Sequence, residues 1–216
     1  MNQISSEISR ALIDVRKGYR LLHDYQRSAL DAARYIGDCL GFNYVGGYTH
    51  FGNSSPANEK VVNGGLAASA WDWLNLYFYD FHFMKEETEG EYVHFCILLF
   101  SDTGYYQNES IAPERDMPTT YPSAEQSETK VGFLLYSSWE EEYDSFFTAR
   151  DQVRDFLFEG KLPPLLVNGE VRGMVCDFSC LASQESADRL VMELRRFGEA
   201  EGFLNSQTPA IATTTS

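Results

Sequence analysis

Basic residues are scarce in this chain of 216 residues: 17 lysines and arginines stand against 32 aspartates and glutamates, a formal net charge of −15. Binding to a phosphate backbone depends on Lys and Arg displacing counterions, so nucleic acid is not an expected partner. Long apolar runs are missing as well. The longest strong one, Val93 to Phe100, has strand length and falls well short of the ~20 residues that span a bilayer. The first 20 residues interleave Glu7, Arg10, Asp14, Arg16 and Lys17 with apolar positions, which is not the pattern of a secretory signal. A cytoplasmic location is the expectation.

Cysteine is sparse too. Cys39, Cys96, Cys176 and Cys180 are scattered, and in a reducing compartment they read as buried thiols. Cys176 and Cys180 have C-x3-C spacing, not the C-x2-C of zinc sites. On one strand they would lie about 13 Å apart, too far to share a metal. No metal and no cofactor is expected. Also missing are Gly-x-Ser-x-Gly, His-Glu-x-x-His, Gly-x-Gly-x-x-Gly and the EF-hand loop, and no Gly-Lys-Ser/Thr follows Gly64-Gly65. Every motif-based argument for an enzyme is thereby removed.

What the chain has is a long N-terminal periodicity. Small or apolar residues recur at Ile4, Ile8, Ala11, Val15, Gly18, Leu22, Tyr25, Ala29, Ala32, Ile36 and Cys39, in steps of four and three. That is the 3.5-residue period of a helical seam facing a partner, and no proline interrupts it. A helix over 4–40 follows, ended by Gly41 at the position that favours positive φ. Because several seam residues are small, the helix is expected to pack as a spine within its own chain, with a homodimer through residues 4–40 as the other use of the seam.

Beyond it the pattern turns to strands. Residues 42–51 alternate aromatics and glycines, and 52–65 read as a loop. The aromatic stretch 71–84, the charged turn 85–91 and the apolar run 92–101 form an antiparallel hairpin, its second strand central because both faces are apolar. Val131 to Tyr136 is another strand. Asn168-Gly169 between 165–167 and 171–181 signals a tight hairpin. Helices are expected over 145–159 and, behind a Ser183 cap, over 184–201. The class is α+β: the long helix and two later helices on one face of a mostly antiparallel sheet of about five strands. One domain over 1–204 is expected, with a mobile proline-containing loop at 109–129 and a disordered tail at 205–216.

Two constellations carry functional expectations. On the hairpin, a turn centred on Thr88 would set His82 directly opposite His94, on a face shared with Asp80 and Cys96. Asp80, His82 and His94 are then the raw material of an acid–base site under the 109–129 loop. The second constellation is charge. Residues 1–40 hold six bases and five acids, a net of +1, so the remainder holds 11 bases and 27 acids, a net of −16. Glu86, Glu87, Glu89 and Glu91 crowd the hairpin tip, and Glu114 and Asp116 lie in the proline-containing loop. These six are the expected partner-binding residues of an acidic interaction module of inhibitor, immunity or polyanion-mimic type, whose partner is another protein, basic by charge complementarity. Glu128-Thr129-Lys130, with Asp102 or Asp116 upstream, has the form of a PD-(D/E)xK nuclease motif. Three residues recur by chance in an acidic chain, and the charge suits a DNA-cutting surface badly.

Overall fold

The computed structural model describes residues 2–50, 78–88, 90–108, 118–138, 147, 150–162 and 171–204. The trailing residues 205–216, the stretch 71–77 and the 165–170 hairpin turn lie outside them. The chain opens with α1, Asn2–Leu40, a single helix of 39 residues and about 58 Å at 1.5 Å per residue. Gly41, at φ 78°, closes it in a Schellman arrangement: the Gly41 amide donates to the Asp38 carbonyl and the Phe42 amide to the Gly37 carbonyl.

Five strands follow: β1 Asn43–His50, β2 Phe78–Thr88, β3 Glu91–Phe100, β4 Lys130–Ser138 and β5 Val171–Asp177. They form one antiparallel sheet in the order β1-β2-β3-β4-β5. β3 is the central strand, and Val93 to Phe100 are buried without a break, as a strand covered on both faces must be. Between β3 and β4 runs the short helix α2, Gly104–Gln107. After β4 comes α3, Arg150–Glu159, and after β5 comes α4, Gln184–Ala200. Ser183 caps α4 as its sequence indicates, accepting from the Ser186 amide while Ser186 Oγ accepts from the Ser183 amide.

The helices cover both faces of the sheet, not one. On the first face, Phe81, Phe83, Phe95, Ile97, Leu99, Val131, Phe133 and Leu135 pack under α1 and α4. On the second, Phe78, Cys96, Leu98, Phe100, Leu134 and Tyr136 pack under α2 and α3. The strand alternation supplies both apolar sets, and a sheet apolar on both sides cannot leave one to water. The second layer is seated by two missing side chains. A Cβ on Gly132 would lie 2.8 Å from the Phe156 ring, and one on Gly173 would lie 3.0 Å from it, so these glycines form the socket for Phe156 of α3.

Three expected elements come out differently. The helix expected over 145–159 begins at Arg150, and Phe147 lies outside it. The strand beginning at Val171 stops at Asp177, and Phe178–Leu181 is a 3-10 turn. The pairing ends there: Asp177 is opposite Lys130, the first residue of β4, and after one more backbone bond, from the Phe178 amide to the Thr129 carbonyl, the chain turns away. The hairpin register also differs. A bulge between Glu86 and Thr88 shifts the ladder, so His82 faces Cys96 and His94 faces Met84. The two histidines are not directly opposed.

Within the 109–129 connection, residues 118–129 are tied to the body. Thr103 and Glu128 exchange a backbone bond and a bond from the Glu128 amide to Thr103 Oγ1, both 2.9 Å, and Asn108 Nδ2 donates to Thr120 Oγ1 at 2.9 Å. Residues 109–117 lie outside the described residues.

Candidate functional site

The hairpin cluster assembles on the second face of the sheet, because Asp80 and His82 of β2 and His94 and Cys96 of β3 are the even-numbered residues there. His82 Nδ1 lies 3.2 Å from Cys96 Sγ, and His82 Nε2 lies 3.5 Å from Asp80 Oδ2. His94 stacks on its β4 neighbour Tyr136, ring centroids 4.5 Å apart and nearly parallel. A thiol, an imidazole and a carboxylate in that order have the form of a nucleophile relay. The environment opposes that use. Asp80, His82, His94 and Cys96 are all buried, the last three at 0% exposure. Burial, and then the Asp80 carboxylate, push the Cys96 thiol well above its ordinary range, which holds it protonated. The arrangement is that of a hydrogen-bonded polar island in an aromatic core. Sequence reasoning brought Asp80, His82 and Cys96 to one face but missed that Cys96 is the partner of His82, since that depends on the bulge.

The acidic residues separate. Glu86 Oε1 accepts from the Gly90 amide at 3.2 Å, closing the hairpin turn, and Glu87 pairs with Lys85. Glu91 begins β3, half-buried. Glu89, Glu114 and Asp116 lie outside the described residues. In the nuclease-like motif, Lys130 is held between Glu128 at 2.9 Å and Asp177 at 3.4 Å, while Asp102 Oδ1 accepts from the Gly104 amide at 2.8 Å. Among the described residues no three His, Cys, Asp or Glu side chains gather as a metal set.

The long helix divides in two. From Tyr25 onward it is docked: Tyr25 Oη donates to Ser101 Oγ at 3.0 Å, its ring meets Phe178, Tyr35 donates to Asp188 of α4, and Arg195 of α4 donates to the Cys39 carbonyl at 2.7 Å. The buried stripe is Ala29, Ala33, Ile36 and Leu40. Carried back by the same steps of three and four, it runs through Gln26, Leu22, Tyr19, Val15, Leu12 and Ile8. There the cover ends. Ile8, Leu12, Val15 and Tyr19 are 55%, 51%, 51% and 63% exposed. This row lies beside the one read from sequence, sharing its positions 8, 15, 22, 29 and 36 but replacing Ala11, Gly18, Tyr25, Ala32 and Cys39 with Leu12, Tyr19, Gln26, Ala33 and Leu40, although Tyr25 of the first row is itself docked. The heavier set was visible in the sequence as a second ladder of the same period. A groove of about 230 Å³ lies between α1 and the β1–β2 edge, lined by Leu30, Ala33, Tyr44, Phe81 and Phe83 with Arg34 and Asp38 among them.

The fourth feature was not expected. Because the chain leaves the sheet at Asp177, Cys180 turns back toward Cys176, and the two sulfurs are 2.9 Å apart instead of about 13 Å as a continuous strand would place them.

A family model described as PM0109 matches residues 5–201, almost the whole of the described fold. The chain belongs to the PM0109 family. No curated protein and no solved structure matches it. The match begins within α1 and ends after α4, so both the projecting and the docked halves of the helix belong to the PM0109 unit. Among the described residues no helix is long and apolar enough to cross a membrane.

Proposed function

We propose that this PM0109 protein is a non-enzymatic protein-interaction module that pairs with a second copy of itself along the projecting half of α1 and presents its acidic bodies to a basic protein. The observation that carries the reading is the exposed row Ile8, Leu12, Val15 and Tyr19, continuous with a stripe that the same helix buries a few turns later. A monomer would leave residues 7–21, about 22 Å of amphipathic helix, with its apolar side in water. Branched and aromatic residues at alternating three- and four-residue steps are what knobs-into-holes pairing uses.

Charge supports a second copy as the occupant. Residues 2–24 hold four bases (Arg10, Arg16, Lys17, Arg20) and three acids (Glu7, Asp14, Asp24), a net of +1, whereas the chain beyond residue 40 carries −16. The projecting helix is close to charge balance, so two copies paired along it avoid the repulsion that their acidic bodies would impose. Two bodies held by paired helices then form a doubled negative surface, suited to a basic partner. A cytoplasmic setting fits this reading. The alternative, an enzyme working through Asp80, His82 and His94, would need those groups to meet substrate, and all three are buried.

Sedimentation equilibrium tests the pairing. The wild-type chain should show a concentration-dependent mass reaching twice the protomer, and Leu12→Asp or Tyr19→Asp should return it to one protomer while the far-ultraviolet spectrum of the body persists. A wild-type mass of one protomer at every concentration contradicts the proposal. For the electrostatic half, a basic partner isolated from the native host should lose affinity as salt rises, and affinity indifferent to ionic strength contradicts it.

A further inference from the structure

Cys176 and Cys180 are half-buried where β5 ends, in contact sulfur to sulfur at 2.9 Å, and neither belongs to the polar island or to the α1 seam. The 3-10 turn Phe178–Leu181 creates the contact by bringing position 180 back over position 176. The turn is held on both sides. The Phe178 amide donates to the Thr129 carbonyl at 2.9 Å, the Phe178 ring lies against Tyr25, and Ser183 starts α4 directly afterwards. The two thiols are therefore kept together by the fold and do not meet by chance motion of a loose segment.

We propose that Cys176 and Cys180 form a redox-active dithiol, which a low-molecular-weight disulfide oxidises to an intrachain disulfide.

The two sulfurs are not equivalent. The contact with Cys176, together with a backbone hydrogen bond, lowers the Cys180 thiol below its ordinary value despite burial. The same contact, burial and the neighbouring Asp177 and Glu193 carboxylates push Cys176 up. Cys180 is thus the attacking sulfur and Cys176 the resolving one. In the first step the Cys180 thiolate attacks one sulfur of the small disulfide, whose S–S bond breaks and releases one small thiolate. In the second, Cys176 gives its proton to solvent and its sulfur attacks Cys180, expelling the second small thiolate. Two protein thiols are oxidised to one disulfide, and one small disulfide is reduced to two thiols. Intracellular disulfides are characteristically of this reactive kind. The bond would clasp the end of β5 to the turn that leads into α4, the helix that anchors α1 through Asp188 and Arg195.

The test uses the full chain in glutathione and glutathione disulfide mixtures of graded ratio, quenched by alkylation and mapped by peptide mass. The expected product is a peptide two mass units lighter carrying a Cys176–Cys180 bond, formed at ratios that leave Cys96 reduced. Cys176→Ser should instead accumulate glutathione on Cys180, and Cys180→Ser should slow the reaction at position 176 at least tenfold. Persistent glutathione on Cys180 in the wild-type chain, a bond from either residue to Cys39, or no oxidation before Cys96 reacts overturns the proposal. Because the wild-type peptide map decides alone, a variant that fails to fold does not rescue it.

Discussion

Arg195 of α4 donates a hydrogen bond to the main-chain carbonyl of Cys39, 2.7 Å away in the last turn of α1. A helix leaves its final carbonyls without intrahelical partners, and a guanidinium there satisfies one of them and complements the negative end of the helix dipole. With the Schellman closure at Gly41, it fixes where α1 ends and which stripe faces the sheet. The docked half of the helix is held by this end, and the other half is free to act as a handle.

Arg195→Ala should therefore lower the stability of the body by about 1.5–3 kcal/mol, the range for a hydrogen bond with a charged donor. Urea denaturation measures it. Association through residues 8–22 should survive the substitution as long as the chain is folded.

The seat of Phe156 gives a sharper stability prediction. Its ring fills the hollow over Gly132 and Gly173 and is 1% exposed. Phe156→Ala should cost about 3–5 kcal/mol. Gly173→Val, whose Cβ would lie 2.7 Å from Leu134 and 3.2 Å from the Phe133 carbonyl, should cost about 1–3 kcal/mol by overpacking. Equal midpoints for Gly173→Val and wild type would contradict this packing.

In the polar island, Cys96→Ala removes the sulfur that faces His82 with little change of volume. The expected loss is about 1–3 kcal/mol, with no effect on association. In the native wild-type chain Cys96 should resist alkylation until global unfolding, whereas Cys180 should react first. Thiol titration with peptide mapping distinguishes the two.

Asp188 contributes to acid dependence, its carboxyl being held below its ordinary value by the hydrogen bond from Tyr35 and a second from Gln184. Its folded pKa is depressed, so the unfolded chain binds the proton more readily. The contribution is complete above the ordinary aspartate value and is lost as pH falls through the lower folded value. Denaturation midpoints of wild type and Asp188→Asn should differ at neutral pH and converge in acid below that range. A gap that stays constant or widens there contradicts the assignment.

Most of the architecture was legible because strand and helix periods are local. The central strand shows as an unbroken apolar run, Gly41 and Ser183 mark helix ends by their own chemistry, and Ala187, Leu190, Val191 and Leu194 lie on the face they bury. The misses were set by pairing partners distant in sequence. The ladder of β5 ends opposite Lys130, where β4 begins, and the turn beyond it decided whether Cys180 lies far from Cys176 or against it. That His82 does not face His94 follows from a turn placed beyond Thr88, between Thr88 and Glu91, and the bulge at Glu86–Thr88 then sets Cys96 opposite it. The choice between two interleaved seams on α1 depended on what α4 and β2 offered it. Gly37 settles part of that choice, since a Cβ there would fall 2.4 Å from the Phe83 ring.

Amide hydrogen exchange along α1, followed as a function of protein concentration, tests the central claim most directly. Residues 29–40 should be protected to the same degree at every concentration, because their seam is buried within the chain. Residues 8–22 should exchange fast in dilute solution and slow progressively as the concentration rises, and Leu12→Asp should abolish that slowing. Exchange at 8–22 that is independent of concentration, whether fast or slow, would contradict the claim that this half of the helix is the docking surface for a second copy.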